Sequence, residues 1–128
     1  AMTSEITKGN GVDVVYDSVG QATFMSSLDC LRPFGMMVSF GQSSGSIPPF
    51  DLSILAAKGS LFLTRPSLMN YTAKREDLLN HAMDLFEVVK SGAVKIEVKQ
   101  TYPLAEATQA HRDLEARKTT GSTVLLPD

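Results

Sequence analysis

The period of hydrophobic and polar positions changes several times along the chain, and each change marks an element. Residues 12–17 (VDVVYD) are a short run rich in β-branched side chains, followed by Ser18, Val19 and Gly20 and then at once by a helical pattern. A buried parallel strand feeding a loop from its carboxyl end has this appearance. Residues 36–40 (MMVSF) repeat it, leading into a small-residue polar loop over 41–49. Between them Phe24, Met25, Leu28 and Leu31 recur every three or four residues and predict a helix over 21–32. Pro33, Phe34 and Gly35 then predict a turn. Asp51 is placed to cap a short helix through Lys58, closed by Gly59, and 60–64 (SLFLT) reads as a third strand. Alternation of strand and helix in this order predicts an α/β fold with a parallel sheet.

The second half has a different rhythm. Thr72 is placed to cap a long helix over 73–91, with Leu78, Leu79, Ala82, Leu85, Phe86 and Val89 as an apolar stripe and Gly92 as its stop. Residues 94–101 alternate apolar and charged side chains, the pattern of a half-exposed strand. Pro103 is placed to open a helix carrying Leu104, Ala107, Ala110, His111 and Leu114 on one face, and 122–126 closes as a strand. At the other end, residues 2–11 read as the tail of a helix stopped by Gly9, Asn10 and Gly11. A domain seldom begins by finishing an element, so the expectation is a piece of a longer protein.

Composition narrows the function by exclusion. The 128 residues are 43% hydrophobic and 20% charged with net charge −2, ordinary globular values. No basic block exceeds Lys74-Arg75, which argues against nucleic acid as a partner. No apolar run approaches the ~20 residues of a membrane span, and no leader pattern opens the chain, so a cytoplasmic location is expected. Cys30 is the one cysteine; it allows no internal disulfide and has no ligand-spaced partner for zinc, so no metal site is assigned. His81 and His111 read as packing or surface residues. Asp13 and Asp17 sit four apart on one strand, hence on the same side, and strand register with an N-cap role explains them without acid/base pairing. No catalytic residue is assigned.

The candidates for binding lie where strands end. Ser18, Val19 and Gly20 follow the first strand; Phe40, Gly41, Gln42, Ser43 and Ser44 follow the second. In an open α/β sheet that edge lines the ligand crevice. A plain strand-to-helix turn and an ordinary polar loop are the competing readings. Arg65 and Arg117 are the charged candidates, because a guanidinium fork suits phosphate; solvated surface arginines are the alternative.

Several stretches together carry a resemblance: GVDVVYDSVG (11–20), GMMVSFGQSSG (35–45), FLTRPSL (62–68), YPLAEA (102–107), AHRDLEAR (110–117) and TGS (120–122). In this order and spacing they resemble the C-terminal part of the medium-chain dehydrogenase/reductases, most closely the zinc-independent, ζ-crystallin-like quinone oxidoreductases. The resemblance implies a partial Rossmann fold over 1–93 and, over 94–128, a strand-helix-strand segment returning to a substrate domain. It implies NADP as cofactor, with NAD possible, no metal, and hydride transfer from nicotinamide to a quinone or enone. Ser18, Val19 and Gly20 would face the cofactor; Phe40, Gly41, Gln42 and Ser43 would run past the nicotinamide and its ribose. Arg65 lies in a matching stretch, and Arg117 matches an arginine that reaches toward the cofactor. The strand from Ser60 to Thr64 would pair with its copy in a homodimer. The Gly-rich phosphate turn is missing: Gly9-Asn10-Gly11 precedes a strand instead of following one. The chain alone is therefore expected to be inactive and to bind NADPH weakly. A non-catalytic binding or oligomerisation module, or an enoyl or alkenal reductase of the same superfamily, are the alternatives.

Overall fold

The computed structural model describes residues 2–127, which form two compact units divided after Ala73. The first contains α1 (Met2–Ile6), β1 (Val12–Asp17), α2 (Phe24–Leu28), β2 (Leu31–Ser39), α3 (Ser53–Ala57), β3 (Phe62–Thr64) and α4 (Leu68–Tyr71). The three strands are parallel in the order β1-β2-β3. Val15 lies beside Met37 and Met37 beside Leu63, so apolar side chains align across the sheet.

Phe24 and Leu28 from α2 pack with Leu31, Met37 and Leu61 as the buried core. Ile47 and Phe50 from the long loop, and Ile54 and Leu55 from α3, close over the same cluster. The Phe24 and Phe50 rings meet with centroids 4.9 Å apart at 55°, a tilted contact of the kind aromatic quadrupoles favour. Met37 is fully buried and Leu28 is 1% exposed, so truncating either to alanine should cost about 2–5 kcal/mol.

The helix expected over 21–32 is much shorter. Residues 21–23 form a turn, α2 spans Phe24–Leu28, and Leu31 already belongs to β2. The Val12 N–H donates to the Cys30 carbonyl at 2.9 Å, which draws the next residue into the ladder. Helical spacing misled here because Phe24, Leu28 and Leu31 reach one core from two different elements. The turn at Pro33 to Gly35 interrupts β2 instead of preceding it. Val12 pairs with Leu31 and Val14 with Met36, so the intervening residues of β2 loop out. Phe34 has φ 61°, and its N–H is taken by the Gly59 carbonyl at 2.8 Å. The N-cap of α3 is Leu52, one residue after the expected Asp51, whose carboxylate nonetheless accepts from the Ser53 N–H at 2.8 Å.

The second unit contains α5 (Arg75–Lys90), β4 (Val98–Pro103), a 3-10 turn (Leu104–Glu106), α6 (Ala107–Glu115) and β5 (Ser122–Leu126). β4 and β5 are parallel, with Tyr102 beside Leu125. α5 begins after Lys74, not after a Thr72 cap; the Thr72 hydroxyl donates back to the Leu68 carbonyl at 2.9 Å. The apolar stripe of α5 stays open, with Phe86 67% exposed. Only the end of the alternating 94–101 stretch is strand; Pro103 both closes β4 and, as expected, caps the helical segment that follows, a 3-10 turn running straight into α6. No helix of the described residues is long and apolar enough to cross a membrane.

Candidate functional site

Parallel register puts Asp17 beside Ser39, so the loops leaving β1 and β2 emerge next to each other. Asp17 is 4% exposed, and a buried carboxylate must be fully hydrogen-bonded to persist. One oxygen accepts from the Val19 and Gly20 N–H groups at 2.8 and 2.9 Å. The other accepts from the Thr23 and Ser27 hydroxyls, both at 2.7 Å. Burial alone would raise the pKa, but the bonds from Gly20, Thr23, Ser27 and Val19 outweigh it and hold the carboxyl at about 2. Asp17 thus ties down the loop after β1 instead of serving as the N-cap of α2, which is Thr23, while Asp13 stays exposed and pairs with Arg32 at 2.6 Å.

The two loops are zipped together through their backbones. Phe40 N–H donates to the Asp17 carbonyl at 2.9 Å, Ser43 N–H to Ser18 at 3.2 Å and Ser44 N–H to Val19 at 2.9 Å. The Gln21 N–H returns a bond to the Gly45 carbonyl at 3.2 Å. The Ser44 hydroxyl donates to the Val19 carbonyl at 2.7 Å and accepts from the Ala22 N–H at 3.0 Å. This closeness needs glycine at two positions. A Cβ at Gly41 would lie 2.8 Å from Ser18 Cα; one at Gly20, where φ is +87°, would lie 2.8 Å from the Gly45 carbonyl oxygen. Backbone on the facing side cannot yield as a side chain could.

Seven of the candidate residues, Ser18, Val19, Gly20, Phe40, Gly41, Gln42 and Ser43, therefore form one platform. Ser18, Phe40, Gln42 and Ser43 are its exposed members. Among the described residues, the Ser18 and Ser43 hydroxyls and the Gln42 N–H make no hydrogen bond within the chain. The Val19 and Gly20 N–H groups, in the loop between β1 and α2, are already taken by Asp17.

Arg65 joins this edge from β3. Its Nη1 donates to the Ser39 carbonyl at 3.0 Å, tying the ends of β2 and β3 together. The side chain also lines, with Gln42, Phe50, Leu63 and the 47–49 segment, a cavity of about 470 Å³. The Ser39 hydroxyl is buried without a partner. Arg117 belongs to the second unit. It follows α6 in the left-handed region, φ 56°. Among the described residues no three His, Cys, Asp or Glu side chains converge as metal ligands would.

Ser44, a candidate from the sequence, locks the two loops through its hydroxyl; Thr23 and Ser27, which bond Asp17, were not among the candidates. The signal was present in Asp17 at a strand end followed by hydroxyls at 23 and 27, since such an aspartate seeks nearby N–H and O–H donors.

Three adjoining parallel strands with ligand-facing loops at their carboxyl ends define part of a nucleotide-binding α/β sheet. The family profile of zinc-binding dehydrogenases matches residues 1–125, and the chain belongs to that family. It is 51% identical over 125 residues to quinone oxidoreductase 1 of Escherichia coli K12, covering 96% of this chain and 38% of that protein. It is 48% identical over 124 residues to a 2-haloacrylate reductase of a Burkholderia species, covering 96% and 37%. The crystal structure of Escherichia coli quinone oxidoreductase complexed with NADPH superposes with TM-score 0.89 at 48% identity, over 98% of this chain and 39% of that one. The chain spans about 38% of the length of the curated relatives it matches.

Proposed function

We propose that this chain is the nicotinamide-side half of the cofactor domain of an NADPH-dependent quinone oxidoreductase. The zipped double loop carries the reading, because it offers unpaired small donors and acceptors on a rigid backbone support. Its relatives include quinone oxidoreductases of two bacteria at about half identity, and one such enzyme has been seen with NADPH. When bound, the dinucleotide supplies a hydride, which passes to a quinone or enone. The chain's own residues position it. Ser18, Gln42 and Ser43 hold the carboxamide and ribose, Gly41 and Gly20 let the two loops close, and Phe40 packs as an apolar wall. Arg65 braces the sheet edge beside the site. Arg117 is assigned to the cofactor on the resemblance of its stretch, with a guanidinium fork of the kind that suits phosphate. NADP is preferred in this reading.

Several further assignments belong to the same proposal. Residues 1–93 serve the cofactor, and 94–128 return to a substrate domain. The whole protein works in the cytoplasm as a homodimer joined through the β3 edge, which carries exposed Phe62 and would gain from pairing. The similarity to a 2-haloacrylate reductase favours an activated alkene as the second substrate class.

The test is NADPH oxidation by the whole enzyme, offered in parallel a simple benzoquinone and a halogenated acrylate. Faster turnover of the benzoquinone supports the assignment; activity on the acrylate alone would move it to the alkene reductases. Calorimetric titration of this chain alone should show little NADPH binding, and micromolar affinity would contradict the division of labour. Light scattering of the whole protein should give a dimer.

A further inference from the structure

The loop after β2 closes on itself before it meets the loop after β1. The Gly45 N–H donates to the Gln42 carbonyl at 3.0 Å, so 42–45 is a tight turn with Ser43 and Ser44 at its central positions. Gln42, Ser43 and Ser44 are all exposed. The Ser43 hydroxyl makes no hydrogen bond, and Gln42 Oε1 accepts only from Ser46 of its own loop, at 3.5 Å. Ser44 differs. Among the described residues it is the one side chain that hydrogen-bonds from the second loop to the first.

Its hydroxyl bridges two backbone groups, donating to the Val19 carbonyl at 2.7 Å and accepting from the Ala22 N–H at 3.0 Å. The Ser44 N–H goes to that same Val19 carbonyl at 2.9 Å. One residue thus holds the turn to the first loop through both its side chain and its backbone. It does so at a point that Asp17 has already fixed through the Val19 and Gly20 N–H groups. The bond from Ala22 carries the attachment past Gly20, to the turn that leads into α2. A loop of small residues has many conformations to lose, and each tether removes some of them before a ligand arrives.

We propose that Ser44 is a positioning residue for the nicotinamide half of the cofactor: its hydroxyl bolts the 42–45 turn to the first loop, so that Gln42 and Ser43 already stand in place beside Ser18 when the dinucleotide arrives. This rests on the reading that the platform meets the nicotinamide end. Ser44 itself need touch no part of the ligand. Without its hydroxyl the turn samples other placements, and the apparent affinity falls by the fraction of time spent in the competent one.

The test measures the affinity of the whole enzyme for two ligands, NADPH and adenosine 2′,5′-bisphosphate, a fragment of it that lacks the nicotinamide half. Ser44→Ala keeps the backbone bond to Val19, and the Ala22 N–H it frees is exposed and can turn to water, so the variant should fold and melt close to wild type. It should bind NADPH about 5-fold more weakly, the loss expected if the untethered turn is competent about a fifth of the time, and bind the fragment unchanged. That selective loss supports the positioning role, since a general loosening of the fold would weaken both ligands. The control replaces Gln42 and Ser43 together by alanine, removing groups that the reading places on the cofactor. If the control weakens NADPH binding while Ser44→Ala leaves it unchanged, or if Ser44→Ala weakens both ligands alike, the positioning role is refuted and the reading of the platform survives. If neither variant changes NADPH binding, the reading of the platform falls and the role of Ser44 with it.

Discussion

Asp17 makes the strongest prediction, since one buried carboxylate supports the whole platform. Its carboxyl is held at about 2 against an ordinary value of 3.8. At about 1.4 kcal/mol for each pH unit, the ionised form stabilises the fold by about 2 kcal/mol. The folded pKa lies below the unfolded one, so this stability is fully present above about pH 4. It is lost as pH falls through about 2, where the folded carboxyl finally takes a proton. Asp17→Asn keeps an oxygen for the Val19 and Gly20 N–H groups, and the Thr23 and Ser27 hydroxyls can turn to accept from the new amide. It should therefore cost only the charge assistance, about 2 kcal/mol at neutral pH. Asp17→Ala strands two N–H groups and two hydroxyls and should cost about 4 kcal/mol. The assay is urea unfolding followed by circular dichroism at neutral pH and at steps from pH 4 to pH 2. The difference between wild type and Asp17→Asn is the quantity to plot, because the other carboxylates cancel in it. That difference should shrink toward zero as pH falls. A difference that stays constant with pH, or an asparagine variant as damaging as alanine, would refute the account of Asp17 as an ionised hub.

Other expectations follow from single contacts. Gly41→Ala should destabilise the first unit by about 1–3 kcal/mol and weaken NADPH binding by the whole enzyme, because the new methyl meets Ser18 backbone; equal urea midpoints would contradict it. Ser39→Ala removes a buried hydroxyl that has no partner, so stability should hold or rise by up to about 1 kcal/mol in the same assay. Arg117→Gly should melt higher than Arg117→Ala, by about 1 kcal/mol in stability, because only glycine occupies the left-handed position without strain; both should lose the same NADPH affinity.

The parallel α/β class, the three strands and the two polar loops at their carboxyl ends were legible in the sequence. So, to within one residue, was the start of α3, where Asp51 accepts from the Ser53 N–H, since these depend on side chains close in sequence and on burial of β-branched runs. Spacing could not show that Leu31 belongs to a strand, because apolar side chains at 24, 28 and 31 satisfy the same core from a helix or from a helix and a strand. Nor could it show that Pro33 to Gly35 sit in an interruption within β2, which depends on the Phe34 N–H finding the carbonyl of Gly59. The long stripe of α5 foretold a buried face, yet the face is open, because amphipathicity states what a helix needs and not what lies beside it. The stretch from Val12 to Gly20 shows the division most plainly. Its residues alone predict a strand and a ligand-facing turn. Only the tertiary structure decides that Asp17 consumes the N–H groups at that turn and that the second loop locks over it. Those bonds join residues some 20 positions apart, and pairing at that distance is set by parallel strand register, which no local pattern encodes.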